Sequence, residues 1–159
     1  MLFRRAVVLL GLASFAALAQ PADPSSDPSL TGPPLRFRAD LSPDEESHVT
    51  ESQALGRADF TLERATLKLS WTITFSNLTS AATAAHAHGP QTPGGNAGVL
   101  VGLAPGAVKS PLEGSAILTE GQLDYLLTGR IYVNIHTTKY PDGELRGQIM
   151  RVRVDRPTQ

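Results

Sequence analysis

From Leu35 onward, apolar and polar positions alternate along the chain. In LRFRADL, Leu35, Phe37, Ala39 and Leu41 are separated by Arg36, Arg38 and Asp40, the period of two that marks a half-buried strand. A polar stretch, SPDEESHVTESQALG, precedes a second alternating run through Ala58, Phe60 and Leu62. The strongest run is ATLKLSWTITF. Leu67, Leu69, Trp71, Ile73 and Phe75 face one way, and Thr66, Lys68, Ser70, Thr72 and Thr74 face the other. A Thr-rich outer face suits a sheet better than a helix, and Trp71 on the apolar side is assigned to the core. Shorter strands are predicted over 82–88, 97–103 and 115–118.

A brief helix is predicted near 119–128. Thr119 has the spacing to Gln122 of a capping box, Leu123, Leu126 and Leu127 supply an apolar face, and Gly129 suits the position past the helix end. The chain then closes with runs over 131–137 and 144–154, joined across Tyr140-Pro141-Asp142-Gly143, a type I turn signal with a left-handed position at Gly143. About 6–8 short antiparallel strands separated by turn signals predict an all-β fold, a sandwich or barrel. The sequence shows no long internal repeat.

The last two runs gather polar side chains on one face. Pairing Tyr140 with Glu144 places Thr138 opposite Arg146 and His136 opposite Gln148. Tyr132, Asn134, His136, Glu144, Arg146 and Gln148 then share a side, while Ile131, Val133, Ile135 and Ile149 form the core side. His86 and His88, two apart on a predicted strand, project from one face about 7 Å from each other. His86, His88 and His136 are therefore the candidate metal ligands. Two readings stand side by side: a copper or zinc site, since neutral imidazole suits both ions, or a hydrogen-bonded cluster that fixes strand register. Arg146 is expected either to pair with Glu144 or to face an anionic ligand. His48, in the polar stretch, is read as a solvated residue. The loop GPQTPGGNAG after His88 lacks the Lys-Ser/Thr pair and following helix of a phosphate-binding loop.

Composition narrows the chemistry. The chain has no cysteine, which removes thiol nucleophiles, disulfides and zinc-finger sites and leaves only His and oxygen ligands for a metal. No G-x-S-x-G motif is present, and no carboxylate pair sits in an apolar setting of the kind glycoside chemistry needs. The opening MLFRRAVVLLGLASFAALA has a positive start at Arg4 and Arg5, an apolar run and an Ala17-Leu18-Ala19 cleavage site, which predicts a signal peptide over 1–19 and a secreted or periplasmic protein. Residues 20–34, rich in Pro and Ser, read as a flexible linker. The β domain is placed at 35–154 and a short tail at 155–159. Loss of Arg4 and Arg5 moves the formal charge from -1 to about -3, a poor match for nucleic acid. No later segment is long and apolar enough for a membrane span.

Four motifs resemble the CHRD domain, named for chordin and common in exported microbial proteins. They are Phe37-Arg38-Ala39-Asp40-Leu41, Ala85 to Pro90 (AHAHGP), Gly95 to Leu103, and Tyr132 to Gln148 (YVNIHTTKYPDGELRGQ). The resemblance spans 35–154. The sequence departs from the family at SPDEESHVTES, where a Glu-x-Pro segment is often found. The resemblance implies an immunoglobulin-like β-sandwich or barrel with a limited likeness to copper/zinc superoxide dismutases, and it implies no established activity. Three functions follow as expectations: an exported non-enzymatic binding or structural module, a mononuclear copper dismutase-like enzyme in which Arg146 steers an anion, or an extracellular adhesion module with a protein partner. A second metal is not expected, because the loop after His88 carries no further ligands.

Overall fold

The computed structural model describes residues 31–104 and 107–152. The predicted signal peptide, the linker up to residue 30 and the terminal tail lie outside them. Among the described residues, the alternating runs become nine strands: β1 (Leu35–Leu41), β2 (Leu55–Glu63), β3 (Lys68–Ser76), β4 (Ala82–His88), β5 (Val99–Gly102), β6 (Leu112–Ile117), β7 (Tyr132–Thr137), β8 (Leu145–Gln148) and β9 (Met150–Arg151). They form two antiparallel sheets, ordered β6-β3-β2-β1-β9 and β5-β4-β7-β8. The predicted all-β sandwich holds.

Period-two burial builds the core between the sheets. Leu35, Phe37, Ala39 and Leu41 of β1 point inward beside Phe60, Leu62, Leu69, Trp71 and Ile73. Ala85, Ala87, Val133, Ile135 and Leu145 meet them from the second sheet. Outward charges on the first sheet pair across strands, Arg38 with Asp59 and Arg57 with Asp40, in exposed positions where such pairs contribute little. Leu67 and Phe75 stand at the margins of the core rather than inside it, because the chain turns at Leu67 with a positive φ of 53°.

The predicted helix forms as α1 (Glu120–Leu127), with the Thr119–Gln122 capping box complete and Leu123 and Leu126 buried. Gly129 follows at φ 68°, the left-handed step that ends a helix. It carries the chain from β6 of one sheet to β7 of the other.

Two expectations are corrected. The run over 144–154 is not one strand. It breaks at Ile149, so β8 completes the four-stranded sheet while β9 pairs with β1 in the five-stranded sheet. The last hairpin is also looser than Tyr140 pairing with Glu144. Thr137 and Gly143 both donate their N–H to the Tyr140 carbonyl, which spends 138–143 on turns, and Gln148 pairs with Tyr132 instead of His136. A slip of four residues is even, so every side chain keeps its face.

Along β7 and β8 the four-stranded sheet is buried on both sides. Its outer face carries Tyr132, Asn134 and Arg146, which are 2%, 4% and 1% exposed. The segments 42–54, 89–98 and 138–143 bond across that face. Glu144 anchors this cover. Its Oε1 accepts from Ser52 Oγ (2.7 Å) and Thr79 N (2.7 Å), and its Oε2 accepts from Thr137 Oγ1 (2.7 Å) and Thr79 Oγ1 (3.0 Å). Burial raises the carboxyl's pKa, but the donors from Ser52, Thr137 and Thr79 outweigh it and leave it below the usual carboxylate range.

Replacing Glu144 with Ala strands these donors and is expected to lower unfolding free energy by about 2–4 kcal/mol. Because the folded pKa is depressed, the carboxylate's stabilisation is complete above the unfolded value and is lost as pH falls through the folded one. Wild-type stability should therefore drop as the solution is acidified below about pH 4.5, and Glu144→Gln should flatten that slope in denaturant titrations run across the acid range. An unchanged slope would assign the acid response to other groups.

Candidate metal centre

The β4 strand presents His86 and His88 outward because Ala85 and Ala87 take the core side. On the neighbouring strand β7, His86 pairs with Asn134 and His88 with Tyr132, so His136 stands diagonal to His86. The three rings converge: centroids lie 5.0 Å apart for His86–His136, 5.6 Å for His86–His88 and 5.9 Å for His88–His136. One ligand nitrogen from each falls within 4.8 Å of the other two. Tetrahedral partners of a zinc ion stand about 3.4 Å apart, from Zn–N of about 2.0–2.1 Å. His86 Nδ1 and His136 Nε2 are already at 3.1 Å, and the His88 ligand nitrogen lies within 4.8 Å of the ligand nitrogens of both.

Hydrogen bonds assign the ring nitrogens. His88 Nδ1 lies 3.0 Å from the Ala97 carbonyl and His136 Nδ1 lies 2.9 Å from the Pro141 carbonyl. A carbonyl only accepts, so both Nδ1 atoms carry the proton and both Nε2 atoms carry lone pairs. Ligating imidazoles are commonly held in this way, through a carbonyl behind the ring. His136 Nε2 accepts from His86 Nδ1, whereas His88 Nε2 is buried with no partner. Burial pushes both His88 and His136 below the usual imidazole range, against the pull of their carbonyls; the neighbouring imidazoles add to the lowering. Both are neutral near pH 7, the form that binds metals. To ligate, His86 needs only to move its proton from Nδ1 to Nε2.

The supporting residues divide. Tyr132 stacks on His88 with centroids 5.0 Å apart and planes 6° from parallel, and its hydroxyl exchanges hydrogen bonds with Ala97. Arg146 lies 3.6 Å from the centre of the same Tyr132 ring, donating to Asn96 Oδ1 at 3.0 Å and to the Gly95 carbonyl. Arg146 therefore neither pairs with Glu144 nor faces an incoming anion. It is a buried cation that stiffens the ring behind His88 and the loop carrying Ala97. Glu144 turns away to Ser52, Thr79 and Thr137. Gln148 also leaves the cluster, donating to the carbonyls of Gln91 and Gly129.

Asn134 stays beside the imidazoles. Its Nδ2 donates to Glu46 at 3.2 Å, and its Oδ1 is buried without a partner. Gly143, at φ 133°, is required here, since a Cβ would fall 2.5 Å from both amide termini of Asn134. Sequence patterning missed Glu46, whose carboxyl is pushed up by burial against the pull of His48 and Arg146. It also missed Asp142 as a cavity-lining residue. His48 is half-buried rather than solvated, and with Asp142, His88, Tyr132 and Asn134 it lines a cavity of about 440 Å³. It is not among the converging ligands. A larger groove of about 590 Å³, near Asp40, Leu55, Arg57 and Phe75, lies elsewhere and contains no histidine.

The family model of the CHRD domain matches residues 37–149. This chain belongs to the CHRD family. No curated protein and no solved structure matches it. The matched span of the CHRD domain contains all three histidines together with the Ala97 and Pro141 carbonyls behind two of them. Within that span the segment SPDEESHVTES covers the polar face: Glu46 bonds Asn134, Ser47 bonds Asn96 and Ser52 bonds Glu144.

Arg146→Lys retains the charge but loses the flat guanidinium that stacks on Tyr132 and spans Asn96 and Gly95. It is expected to cost about 2 kcal/mol or more in urea unfolding, as for a disrupted buried cation. Tyr132→Phe keeps the stack and loses only the Ala97 bonds, at about 1 kcal/mol. A lysine variant as stable as wild type would refute the stacked role.

Proposed function

We propose that this CHRD domain is an exported, non-enzymatic module whose polar sheet face holds one copper or zinc ion through His86, His88 and His136. The observation that carries the reading is the tautomer arrangement. Two rings commit Nδ1–H to fixed carbonyls, and the buried Nε2 of His88 is left with a lone pair and no partner. A purely structural cluster has no use for that orphan, whose burial costs free energy. An all-imidazole set on a rigid sheet suits copper and zinc over magnesium or calcium. An ion there would tie β4 to β7 and satisfy His88. Support for export comes from the basic start, apolar run and A-x-A site of the first 19 residues. No helix among the described residues is long and apolar enough to cross a membrane.

Purified protein lacking residues 1–19, titrated with Cu(II) and with Zn(II), should bind one equivalent of at least one ion with sub-micromolar affinity. The double substitution His86→Ala, His88→Ala should abolish it. At an ion concentration 100 times Kd, wild type should gain about 2.7 kcal/mol of stability, and the double variant none. No binding of either ion below micromolar Kd would end the reading. Superoxide consumption by the copper-loaded protein would replace the non-enzymatic part with a redox enzyme.

A further inference from the structure

Asn134 occupies an unusual position relative to the three imidazoles. It is the cross-strand partner of His86, lies two residues before His136 on the same face, and lines the cavity that His88 also lines. The residue is 4% exposed. Its amide cannot be turned round, because the atom near Glu46 Oε1 and Oε2 must be the donor: a carboxylate accepts only. That bond fixes Oδ1 as the acceptor left over, and Oδ1 is buried with no partner. His88 Nε2 is a second acceptor in the same condition.

The two orphans call for different partners. An imidazole lone pair is satisfied by a metal ion, but an amide oxygen held within a polar pocket is satisfied by a hydrogen-bond donor. Three protein nitrogens leave a fourth position in a tetrahedral set. The cavity of about 440 Å³ that His88 and Asn134 both line is also walled by Ser47, His48, Asn96 and Asp142, which gives a small molecule room beside the two residues that carry the orphans. A buried acceptor discriminates against ligands that cannot donate, because such a ligand leaves the acceptor unpaired.

We propose that Asn134 is a specificity-determining residue of the centre, selecting as the exchangeable fourth partner a small protic ligand, water or another O–H donor of that size, over an aprotic anion. The inference rests on the metal reading above. Glu46 acts through Asn134 by locking the amide, and Gly143 by making room for it.

The test uses azide, an anion that donates no hydrogen bond, on the Cu(II)-loaded protein, followed through its ligand-to-metal absorption band. In wild type, azide must displace a donor and strand Asn134 Oδ1. Asn134→Leu removes the acceptor, so azide should bind about 5- to 100-fold more tightly, the range for relieving one unsatisfied buried polar group. Glu46→Gln, whose amide can donate as well as accept, leaves the Asn134 amide free to turn and should move azide affinity in the same direction by a smaller factor. Copper affinity, measured separately by competition with a chelator, should change little in both variants.

A merely structural role for Asn134 predicts the opposite sign, since a disturbed site binds an added ligand less well. Copper uptake with unchanged or weaker azide binding in Asn134→Leu would overturn this inference and leave the metal reading intact. Failure of wild type to take up copper or zinc would overturn both. Should Asn134→Leu fold poorly, Asn134→Thr, which keeps a small side chain with a hydroxyl that can donate or accept, should bind azide more tightly than wild type. Unchanged or weaker binding there would overturn the inference equally.

Discussion

A sheet that is buried on both faces must satisfy every polar group it carries from within the protein. β7 meets that constraint more severely than any other strand, with Val133 and Ile135 in the apolar core and Tyr132 and Asn134 beneath loops on the other side. In water these polar side chains would be solvated without help. Under the cover of 42–54, 89–98 and 138–143 they need partners fixed in place. The Arg146 fork on Asn96 and Gly95, the Asn134 bond to Glu46 and the Gln148 bonds to Gln91 and Gly129 all answer that need. So do the four donors gathered by Glu144. The loops are held by the polar face they cover, so neither layer is independent of the other.

This mutual dependence explains why the histidines are well placed for ligation. The same loops that exclude solvent supply the carbonyls of Ala97 and Pro141, which orient two rings and select their tautomers. Tyr132, clamped between His88 and Arg146, restricts the third dimension by fixing the plane of one ring. Pre-organisation of this kind lowers the ordering cost of capturing an ion, and it is built from backbone groups and a cation that never touch the ion themselves.

Much of the architecture was legible in alternation alone. β1, β4 and α1 follow from apolar spacing and capping chemistry, and the faces of the last hairpin were assigned correctly even though its register slipped by four residues. The slip arose because Tyr140-Pro141-Asp142-Gly143 reads as a tight turn, while Thr137 and Glu144 are engaged outside it and widen the connection. Convergence of His86, His88 and His136 was also accessible, since parity places all three on one face. What alternation could not show was the cover. A polar strand face reads as solvent-exposed, and nothing local in SPDEESHVTES says that Glu46 and Ser52 reach across the sandwich. Backbone carbonyls leave no trace in side-chain patterning, so Ala97 and Pro141 were invisible. Arg146 was misread for the same reason: its partners, Asn96, Gly95 and the Tyr132 ring, are neutral.

The break of the final run at Ile149 has a kinetic consequence. By crossing from the four-stranded sheet to the five-stranded one, residues 145–151 act as a clasp: β8 pairs with β7, its neighbour in the chain, and β9 pairs with β1, at the far end of the domain's sequence. Chains are made from the N-terminus, so β4 with His86 and His88 emerges well before the clasp that carries Arg146. Contacts of such long sequence separation form slowly. During that interval the histidine strand lacks β7, with His136, and the 138–143 part of its cover, so the centre is completed only after the C-terminal strands are in place.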